Sequence, residues 1–195
     1  MDLQPEVSLR RFRELGVQDI DDMLNPYRQL GVFHDLEMGL VGREEFVARL
    51  NEHAGTALTD EQVNEAIMLF LKGVPQYKFD YLEQLRKEYK IYILSNTNPY
   101  IMAYAHSPHF LPATGRTLSD YVDKVYASCE MQTMKPDRAI YEQMIADSGM
   151  VPERTLFIDD STANIEAAAA LGLQTLLAVN ATDWRPALAA RLQCD

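Results

Sequence analysis

The clearest sign of the fold lies in the segment Thr155-Leu-Phe-Ile-Asp-Asp-Ser-Thr-Ala-Asn164. It opens with a short apolar run, residues 155–158, that does not alternate between apolar and polar residues. Such a run is typical of a parallel strand that is buried on both faces. Two adjacent carboxylates, Asp159 and Asp160, follow the run directly. We therefore expect both of them at the point where a central strand ends.

A helix is predicted after the two aspartates. Ser161 and Thr162 are residue types that cap helices. The helix body is predicted at residues 163–171, and Gly172 suits the position after it, where the backbone is often left-handed. In open parallel sheets, ligands bind at the carboxyl ends of the strands. Two carboxylates there repel each other, and a divalent cation that prefers oxygen ligands would relieve the repulsion. The alternative is that one aspartate only caps the helix, and the pair alone favours that alternative.

Three more segments, the first of them an apolar run, are predicted to be strands, and helical segments separate them. They cover residues 91–94, 122–128 and 174–179. Strands that alternate with helices from residue 79 onward predict an α/β fold with a parallel, doubly wound sheet and right-handed crossovers. The first run leads into Ser95-Asn96-Thr97-Asn98-Pro99. That segment reads either as a loop rich in hydrogen-bond donors or as an ordinary Asn-Pro turn.

The first part of the chain has a different pattern. From residue 7 to residue 73 the apolar residues recur at helical spacing, with no strand in front of them. Thr59 and Gln62 have the spacing of a capping box. We therefore predict a small all-helical domain over residues 1–77 and a sheet-containing domain over residues 78–195. After the first helix, the predicted helices cover residues 20–24, 32–38, 44–53 and 60–71.

Lys135 stands in an unusual position. In Met134-Lys135-Pro136-Asp137, the proline suits the first position of a helix predicted over residues 137–148. A lysine at a helix N-terminus faces the positive end of the helix dipole, which is unfavourable. The position becomes favourable if an anion lies between the lysine and the helix. The alternative is an exposed lysine that points away.

The composition limits the classes of partner. A net charge of −11 and a pI near 4.8 argue against binding to nucleic-acid phosphates or to an anionic membrane. The sequence has neither a signal-peptide pattern nor an apolar run of spanning length, so a cytoplasmic protein is expected. Cys129 and Cys194 lack metal-binding spacing and are interpreted as unpaired thiols.

Three polar clusters resemble, in their order along the chain, three of the four motifs of the haloacid dehalogenase (HAD) superfamily of hydrolases. They are Ile-Leu-Ser-Asn-Thr-Asn-Pro at residues 93–99, Met-Lys-Pro-Asp at residues 134–137 and Phe-Ile-Asp-Asp at residues 157–160. The resemblance covers essentially the whole chain. It is greatest to the branch with an early helical cap, which includes sugar-phosphate phosphatases similar to glucose-1-phosphate phosphatase. It implies a HAD-like Rossmannoid sheet with a helical cap domain at residues 1–77, in which side chains such as those at residues 34–37 select the substrate.

The resemblance also implies a role for each cluster. Ser95 would bind the transferring phosphoryl group through its hydroxyl, with the backbone amide of Asn96 beside it. Lys135 would neutralise the phosphoryl charge and orient the nucleophile. Asp160 would be a direct ligand of Mg²⁺, and Asp159 would hold Lys135 or a metal-bound water. The implied protein is a Mg²⁺-dependent phosphatase of small phosphorylated metabolites, a monomer or homodimer, that works through an aspartyl-phosphate.

The first motif of the superfamily is absent from this sequence. That motif is a strand that ends in the aspartate nucleophile, whereas Met1-Asp-Leu-Gln-Pro5 resembles the segment just after it. Asp2 is therefore not expected to be the nucleophile. The sheet is expected to lack its central strand, between the strands that lead to Ser95 and Asp159, and this form is expected not to turn over.

Three explanations for the missing motif stay open. A start codon assigned too late is favoured, because the other motifs are intact in residue type and spacing. A second explanation is a pseudoenzyme that binds phosphate or a protein without catalysis. The third, least favoured, is that another carboxylate serves as the nucleophile.

Overall fold

In the computed structural model of the chain, residues 2–25, 28–111, 113–178 and 182–192 are described. They belong to two compact units, 1–134 and 135–195. The boundary predicted after residue 77 falls inside the first unit and remains a prediction. None of the helices within the described ranges is long and apolar enough to cross a membrane.

The described residues of the first unit form eight helices. The Thr59 hydroxyl accepts a hydrogen bond from the N–H of Gln62 (3.3 Å), and the Gln62 side-chain oxygen accepts one from the N–H of Thr59 (2.9 Å). The predicted capping box is thus confirmed. The helices are α1 (Pro5–Glu14), α2 (Ile20–Met23), α3 (Gly31–Glu37), α4 (Arg43–Ala54), α5 (Asp60–Met68), α6 (Gln76–Leu85), α7 (Pro99–Ala105) and α8 (Ser128–Met131).

Aromatic side chains hold the helices of the first unit together. Phe33 packs edge-on against Phe12 of α1 and Phe46 of α4, with ring centroids 5.7 and 4.9 Å apart. Phe46 in turn meets Tyr100 of α7 at 6.2 Å. All four rings are buried, and aromatic pairs in this geometry contribute beyond the apolar area they bury. The helix that follows the Ser95–Asn98 loop is therefore anchored in the helical core.

Short strands correct the prediction that residues 7–73 are helical throughout and that no strand precedes them. β1 (Asp2–Leu3) pairs antiparallel with β4 (Leu71–Gly73). β2 (Leu24–Asn25) pairs antiparallel with β3 (Arg28–Gln29). The helix predicted to reach residue 71 consequently ends at Met68. Side-chain periodicity could not show these ladders, because they depend on backbone pairing over two or three residues.

The parallel pair of the first unit consists of β5 (Tyr92–Ser95) and β6 (Lys124–Ala127). Their register places Ser95 directly opposite Ala127. Both predicted strands are confirmed, the second being shorter than the 122–128 run. Because the strands are parallel, their carboxyl ends lie side by side, and α8 begins at that edge.

The second unit is a βαβ arrangement preceded by a helix. β7 (Leu156–Asp159) pairs in parallel with β8 (Gln174–Leu177), and α10 (Thr162–Ala169) connects them. α9 (Arg138–Ser148) precedes the strands, and α11 (Arg185–Leu192) follows them. The predicted end of the last strand at Val179 lies outside the described residues, as does Cys194.

Tyr141 attaches α9 to the parallel strands of the second unit. Its ring meets Phe157 of β7 edge-on at 5.5 Å, and both rings are buried. Its hydroxyl donates a hydrogen bond to the carbonyl oxygen of Asn164 in α10 (3.1 Å). One side chain thereby ties α9 to the strand and helix on either side of Asp159 and Asp160.

The predicted α/β fold with parallel strands is confirmed. β5 pairs with β6, and β7 pairs with β8. Within the described ranges no fifth parallel strand pairs with the second edge of either β5 or β7.

Gly39 permits a close approach between α3 and α8. Its φ is +65°, and a Cβ atom placed on it would lie 2.0 Å from the carbonyl oxygen of Cys129. The amide of Gln132 reaches the Gly39 carbonyl oxygen at 3.5 Å. The turn after α3 therefore lies directly against the backbone at the start of α8.

Gly39→Ala is expected to destabilise the chain more than Gly55→Ala. Gly55 has nearly the same φ, +66°, but nothing lies within 4 Å of its added Cβ. The free energy of unfolding of the Gly55 variant should fall by about 1 kcal/mol, because alanine is strained in a left-handed backbone. The Gly39 variant should lose roughly 1 to 3 kcal/mol more, because the methyl group overlaps Cys129. Urea unfolding measures both; equal losses would show that the α3–α8 contact is not tight.

Candidate functional site

Lys135 and Asp159 form a buried ion pair at the end of β7. The Lys135 Nζ lies 2.7 Å from Oδ2 of Asp159, and the two side chains are 10% and 6% exposed. The lysine nitrogen also lies 5.7 Å from the centroid of the Phe157 ring. An ammonium this buried needs an opposite charge, and Asp159 supplies it.

The structure corrects the predicted position of Lys135 at a helix N-terminus. α9 begins at Arg138, with Asp137 as the residue before it, so Lys135 lies outside the first turn. The unfavourable contact with the helix dipole that the sequence suggested does not arise. The burial of Lys135, and not a helix end, accounts for its pairing with the carboxylate of Asp159.

Both carboxylate oxygens of Asp159 are bound by protein groups. Its Oδ1 accepts hydrogen bonds from the N–H of Ser161 (2.9 Å) and from the side-chain amide of Asn164 (2.8 Å). Ser161 itself makes no side-chain capping bond, so the predicted capping role of Ser161 is wrong. Asp159 holds the start of α10 in its place, and its other oxygen holds Lys135.

Asp160 is different from its neighbour. It is exposed, and in the part of the chain that the structure describes its carboxylate forms neither a hydrogen bond nor an ion pair. The structure thus separates the two roles that the Asp-Asp pair left open. Asp159 binds the backbone N–H of Ser161 and the Asn164 side chain at the start of α10, and Asp160 keeps its oxygens available for a cation.

The loop after β5 combines both readings of its sequence. The Asn98 side-chain oxygen accepts from the N–H groups of Tyr100 (3.1 Å) and Ile101 (3.2 Å), so the Asn-Pro segment starts α7. Ser95 lies before it as the last residue of β5, and its hydroxyl donates a long hydrogen bond (3.4 Å) to the Asn96 carbonyl oxygen. Ser95 and Asn96 therefore lie at the strand end, as predicted.

Ser128 joins the carboxyl ends of β5 and β6. Its buried hydroxyl accepts from the N–H of Thr97 (2.9 Å) and donates to the Thr97 carbonyl oxygen (3.1 Å). This double contact fixes the loop that carries Ser95 and Asn96 against the first residue of α8. Ser128 lies outside the three motifs, so nothing in the sequence marks it as part of this site.

The predicted site residues fall into two groups. The structure brings Lys135 and Asp159 together in the second unit, with Asp160 next in sequence. Ser95 and Asn96 belong to the first unit. That all five act on one phosphoryl group remains a prediction.

The acidic residues of the site suit Mg²⁺ only as a partial ligand set. No group of three or more His, Cys, Asp or Glu side chains that could hold a metal occurs within the described ranges. Mg²⁺ commonly takes one or two carboxylates and completes its shell with waters and phosphate oxygens. Asp160 fits this pattern as one available carboxylate.

Glu37 is a second acidic group with unusual surroundings. It is the last residue of α3, and burial raises its pKa from 4.5 to about 7. The described residues offer its carboxyl neither a hydrogen bond nor an ion pair. Burial, and then the charges of Glu130 and Glu37, raise the pKa of the Cys129 thiol in α8 to about 11. The carboxyl of Glu37 thus lies near the start of α8.

Comparison with known proteins identifies the family. The haloacid dehalogenase-like hydrolases match residues 7–172. The chain belongs to this family. It is 39% identical over 188 residues to D-ribitol-5-phosphate phosphatase of Bacteroides thetaiotaomicron, an alignment that covers 96% of this chain and 91% of the relative. The resemblance inferred from the three motifs is therefore confirmed.

Solved structures of HAD proteins share the fold. A predicted HAD-like family hydrolase from Porphyromonas gingivalis has 48% identity and a TM-score of 0.94, with 99% of this chain and 92% of that chain covered. A HAD family enzyme from Bacteroides thetaiotaomicron has 33% identity and a TM-score of 0.90, with 96% and 92% covered. The latter is an aspartate-to-alanine mutant in complex with magnesium and inorganic phosphate.

Asp159→Ala and Asp160→Ala are expected to differ sharply in stability. Removing the Asp159 carboxylate leaves a buried ammonium without its charge partner and two donors unpaired, which should lower the free energy of unfolding by about 3 to 5 kcal/mol. Removing Asp160, which is exposed, should change it by less than about 0.5 kcal/mol. Urea unfolding of both variants checks this. Similar losses would contradict the division of roles between the two aspartates.

Glu37 should make stability depend on pH around neutrality. Because its pKa in the folded chain, about 7, exceeds 4.5, the folded state holds this proton more tightly than the unfolded state. The resulting stabilisation is fully present below about pH 4.5 and is lost as the pH rises to about 7. Between pH 5 and pH 8 the wild type should lose roughly 1 to 3 kcal/mol more than Glu37→Gln. Parallel pH profiles in chemical denaturation would show that Glu37 is not desolvated.

Proposed function

We propose that this protein is a Mg²⁺-dependent phosphatase of small phosphorylated metabolites. The observation that carries the proposal is the buried ion pair of Lys135 and Asp159 beside the exposed carboxylate of Asp160, in a chain of the HAD family. Two relatives support it. One acts on D-ribitol 5-phosphate, and the other was crystallised with magnesium and inorganic phosphate.

Each residue has a role that its surroundings suit. The ammonium of Lys135, held by Asp159, would offset the negative charge of the phosphoryl group. The hydroxyl of Ser95 and the backbone amide of Asn96 would donate hydrogen bonds to phosphoryl oxygens. Asp160 would hold Mg²⁺, which when bound supplies positive charge to the phosphoryl oxygens. Phosphoryl transfer needs such positioning and charge neutralisation more than it needs other side-chain chemistry.

The nucleophile of the proposed reaction is an aspartate that forms an aspartyl-phosphate. Asp2 does not suit that role, because its backbone lies opposite Gly73 in an antiparallel ladder and not at the carboxyl end of a parallel strand. We therefore expect no turnover from these 195 residues alone. The second candidate function, a pseudoenzyme that binds phosphate or a protein, is favoured by the same observation.

Hydrolysis of p-nitrophenyl phosphate and D-ribitol 5-phosphate with Mg²⁺ tests the proposal. The 195-residue form is assayed beside a version extended by upstream in-frame codons, and we expect no hydrolysis above background from the 195-residue form, because Asp2 does not suit the role of nucleophile. In the active form, Lys135→Met should lower kcat about 100- to 1,000-fold. Lys87→Met, an exposed lysine of the same unit as β5, should leave kcat unchanged.

Three results would change this interpretation. Turnover by the 195-residue form that Asp2→Asn abolishes would identify Asp2 as the nucleophile. Inactivity of both forms, with phosphate still bound, would favour the pseudoenzyme. Equal loss of kcat in the Lys135 and Lys87 variants would remove Lys135 from the site.

A further inference from the structure

Tyr100 connects the loop at residues 95–98, where the phosphoryl group is proposed to bind, to two helices of the helical core. It is the second residue of α7 and is only 1% exposed. Its backbone N–H donates to the side-chain oxygen of Asn98 (3.1 Å), at the end of the loop that begins with Ser95 and Asn96. A shift of the Tyr100 backbone would therefore move that loop.

The hydroxyl of Tyr100 makes a directional contact outside α7. It donates a hydrogen bond to Oδ1 of Asp60 (2.7 Å), the first residue of α5. Burial, and then this hydrogen bond, raise the pKa of the Tyr100 phenol. The phenol is therefore protonated at neutral pH and can act as the donor. Asp60 directly follows Thr59 of the capping box, so the accepting carboxylate lies at a helix start that is itself capped.

Arg43 of α4 joins the same contact. Its guanidinium carbon lies 4.2 Å from the centroid of the Tyr100 ring, which is within the range of a cation–π interaction. Its Nε donates to Oδ1 of Asp60 (3.2 Å), and its Nη2 pairs with Oδ2. Arg43 and Asp60 are 37% and 40% exposed, whereas the Tyr100 ring is buried. The three side chains thus link α4, α5 and α7.

Packing alone does not account for the hydroxyl of Tyr100. The ring meets Phe46 edge-on, a contact that a phenylalanine would make equally well. The hydroxyl adds a requirement of direction, because a hydrogen bond weakens as its angle bends. Its removal would leave the apolar contacts in place and release only the orientation of the start of α7.

The loop at residues 95–98 is also held at a second point. The hydroxyl of Ser128 binds both the N–H and the carbonyl oxygen of Thr97 (2.9 and 3.1 Å). Ser95 and Asn96 therefore lie in sequence between the end of β5 and two anchored residues. One anchor comes from α8, and the other comes from α5 through Tyr100.

We propose that Tyr100 is a positioning residue for phosphate binding, whose hydrogen bond to Asp60 keeps Ser95 and Asn96 in the arrangement that donates to phosphoryl oxygens. The inference rests on the proposed function, because it assigns a role to a residue behind the proposed phosphate-binding groups. Tyr100 acts through the backbone of the loop and does not contact the substrate.

Two measurements on the full chain test this role. Hydrogen exchange followed by mass spectrometry reports how firmly residues 95–101 are held without any ligand. Calorimetry gives the Kd of inorganic phosphate in the presence of Mg²⁺. The variant is Tyr100→Phe, which removes only the hydroxyl. Tyr104→Phe is the matched control, since Tyr104 lies on the same helix and its hydroxyl forms no hydrogen bond within the described ranges.

Tyr100→Phe should speed amide exchange in residues 95–101 about 3- to 10-fold, as expected for one lost hydrogen bond, and leave exchange in α9 unchanged. It should weaken phosphate binding by a similar factor, and Tyr104→Phe should change neither quantity. In an Asp60→Ala background, Tyr100→Phe should not weaken phosphate binding further, because its acceptor is already gone. A general loss of stability would not produce that dependence on Asp60.

Exchange in residues 95–101 that is the same in Tyr100→Phe and in the wild type would overturn the inference. So would faster exchange with an unchanged phosphate Kd, or an equal weakening by Tyr100→Phe with and without the Asp60 carboxylate. The proposed function fails in a different way. A wild type that neither binds phosphate nor hydrolyses an ester in any form would remove it, while exchange would still decide whether Tyr100 positions the loop.

Discussion

The ion pair of Lys135 and Asp159 organises the second unit around the end of β7. Charges taken out of water are stable only when partners replace their hydration. Asp159 has such partners on both oxygens, Lys135 on one and the Ser161 N–H and Asn164 amide on the other. A single carboxylate thereby connects the segment before α9, the strand β7 and the start of α10.

The partners of Asp159 distinguish it from Asp160. Both oxygens of Asp159 accept hydrogen bonds from protein groups, whereas the carboxylate of Asp160 is exposed and has no such partner among the described residues, so Asp160 is the better suited of the two to a cation. In the first unit, close contacts likewise hold together the segments at the ends of its parallel strands. Ser128, the first residue of α8, holds the loop after β5 through Thr97, and Gly39 closely approaches Cys129 of the same helix.

Residue types and spacing predict much of this fold and site. Short segments between the predicted helices, two of them unbroken apolar runs, predicted the parallel strands, and the three motifs predicted the family and the residues at the strand ends. The sequence placed Lys135 at a helix N-terminus, whereas the structure places it before the helix and pairs it with Asp159. Whether Ser95 and Asn96 act with that pair stays a prediction.

Features that depend on distant contacts could not be predicted. Ser161 belongs to a residue type that often caps helices, but its side chain makes no capping bond, and its own backbone N–H donates to Asp159. The ladder of β1 with β4 joins segments at opposite ends of the predicted helical domain. Glu37 looks in sequence like its neighbour Asp35, which pairs with Arg49. Only the packing of α3 on α8 distinguishes the two acids.

The most direct test of Asp160 as the Mg²⁺ ligand is the affinity of the chain for inorganic phosphate, measured by calorimetry with and without Mg²⁺. This measurement does not require turnover. In the wild type, Mg²⁺ should strengthen phosphate binding by at least about fivefold, because the bound cation attracts the negatively charged phosphate at the same site. In Asp160→Asn that gain should disappear while the fold is retained. An equal gain from Mg²⁺ in the wild type and in Asp160→Asn would contradict the assignment of Asp160 as the metal-binding carboxylate.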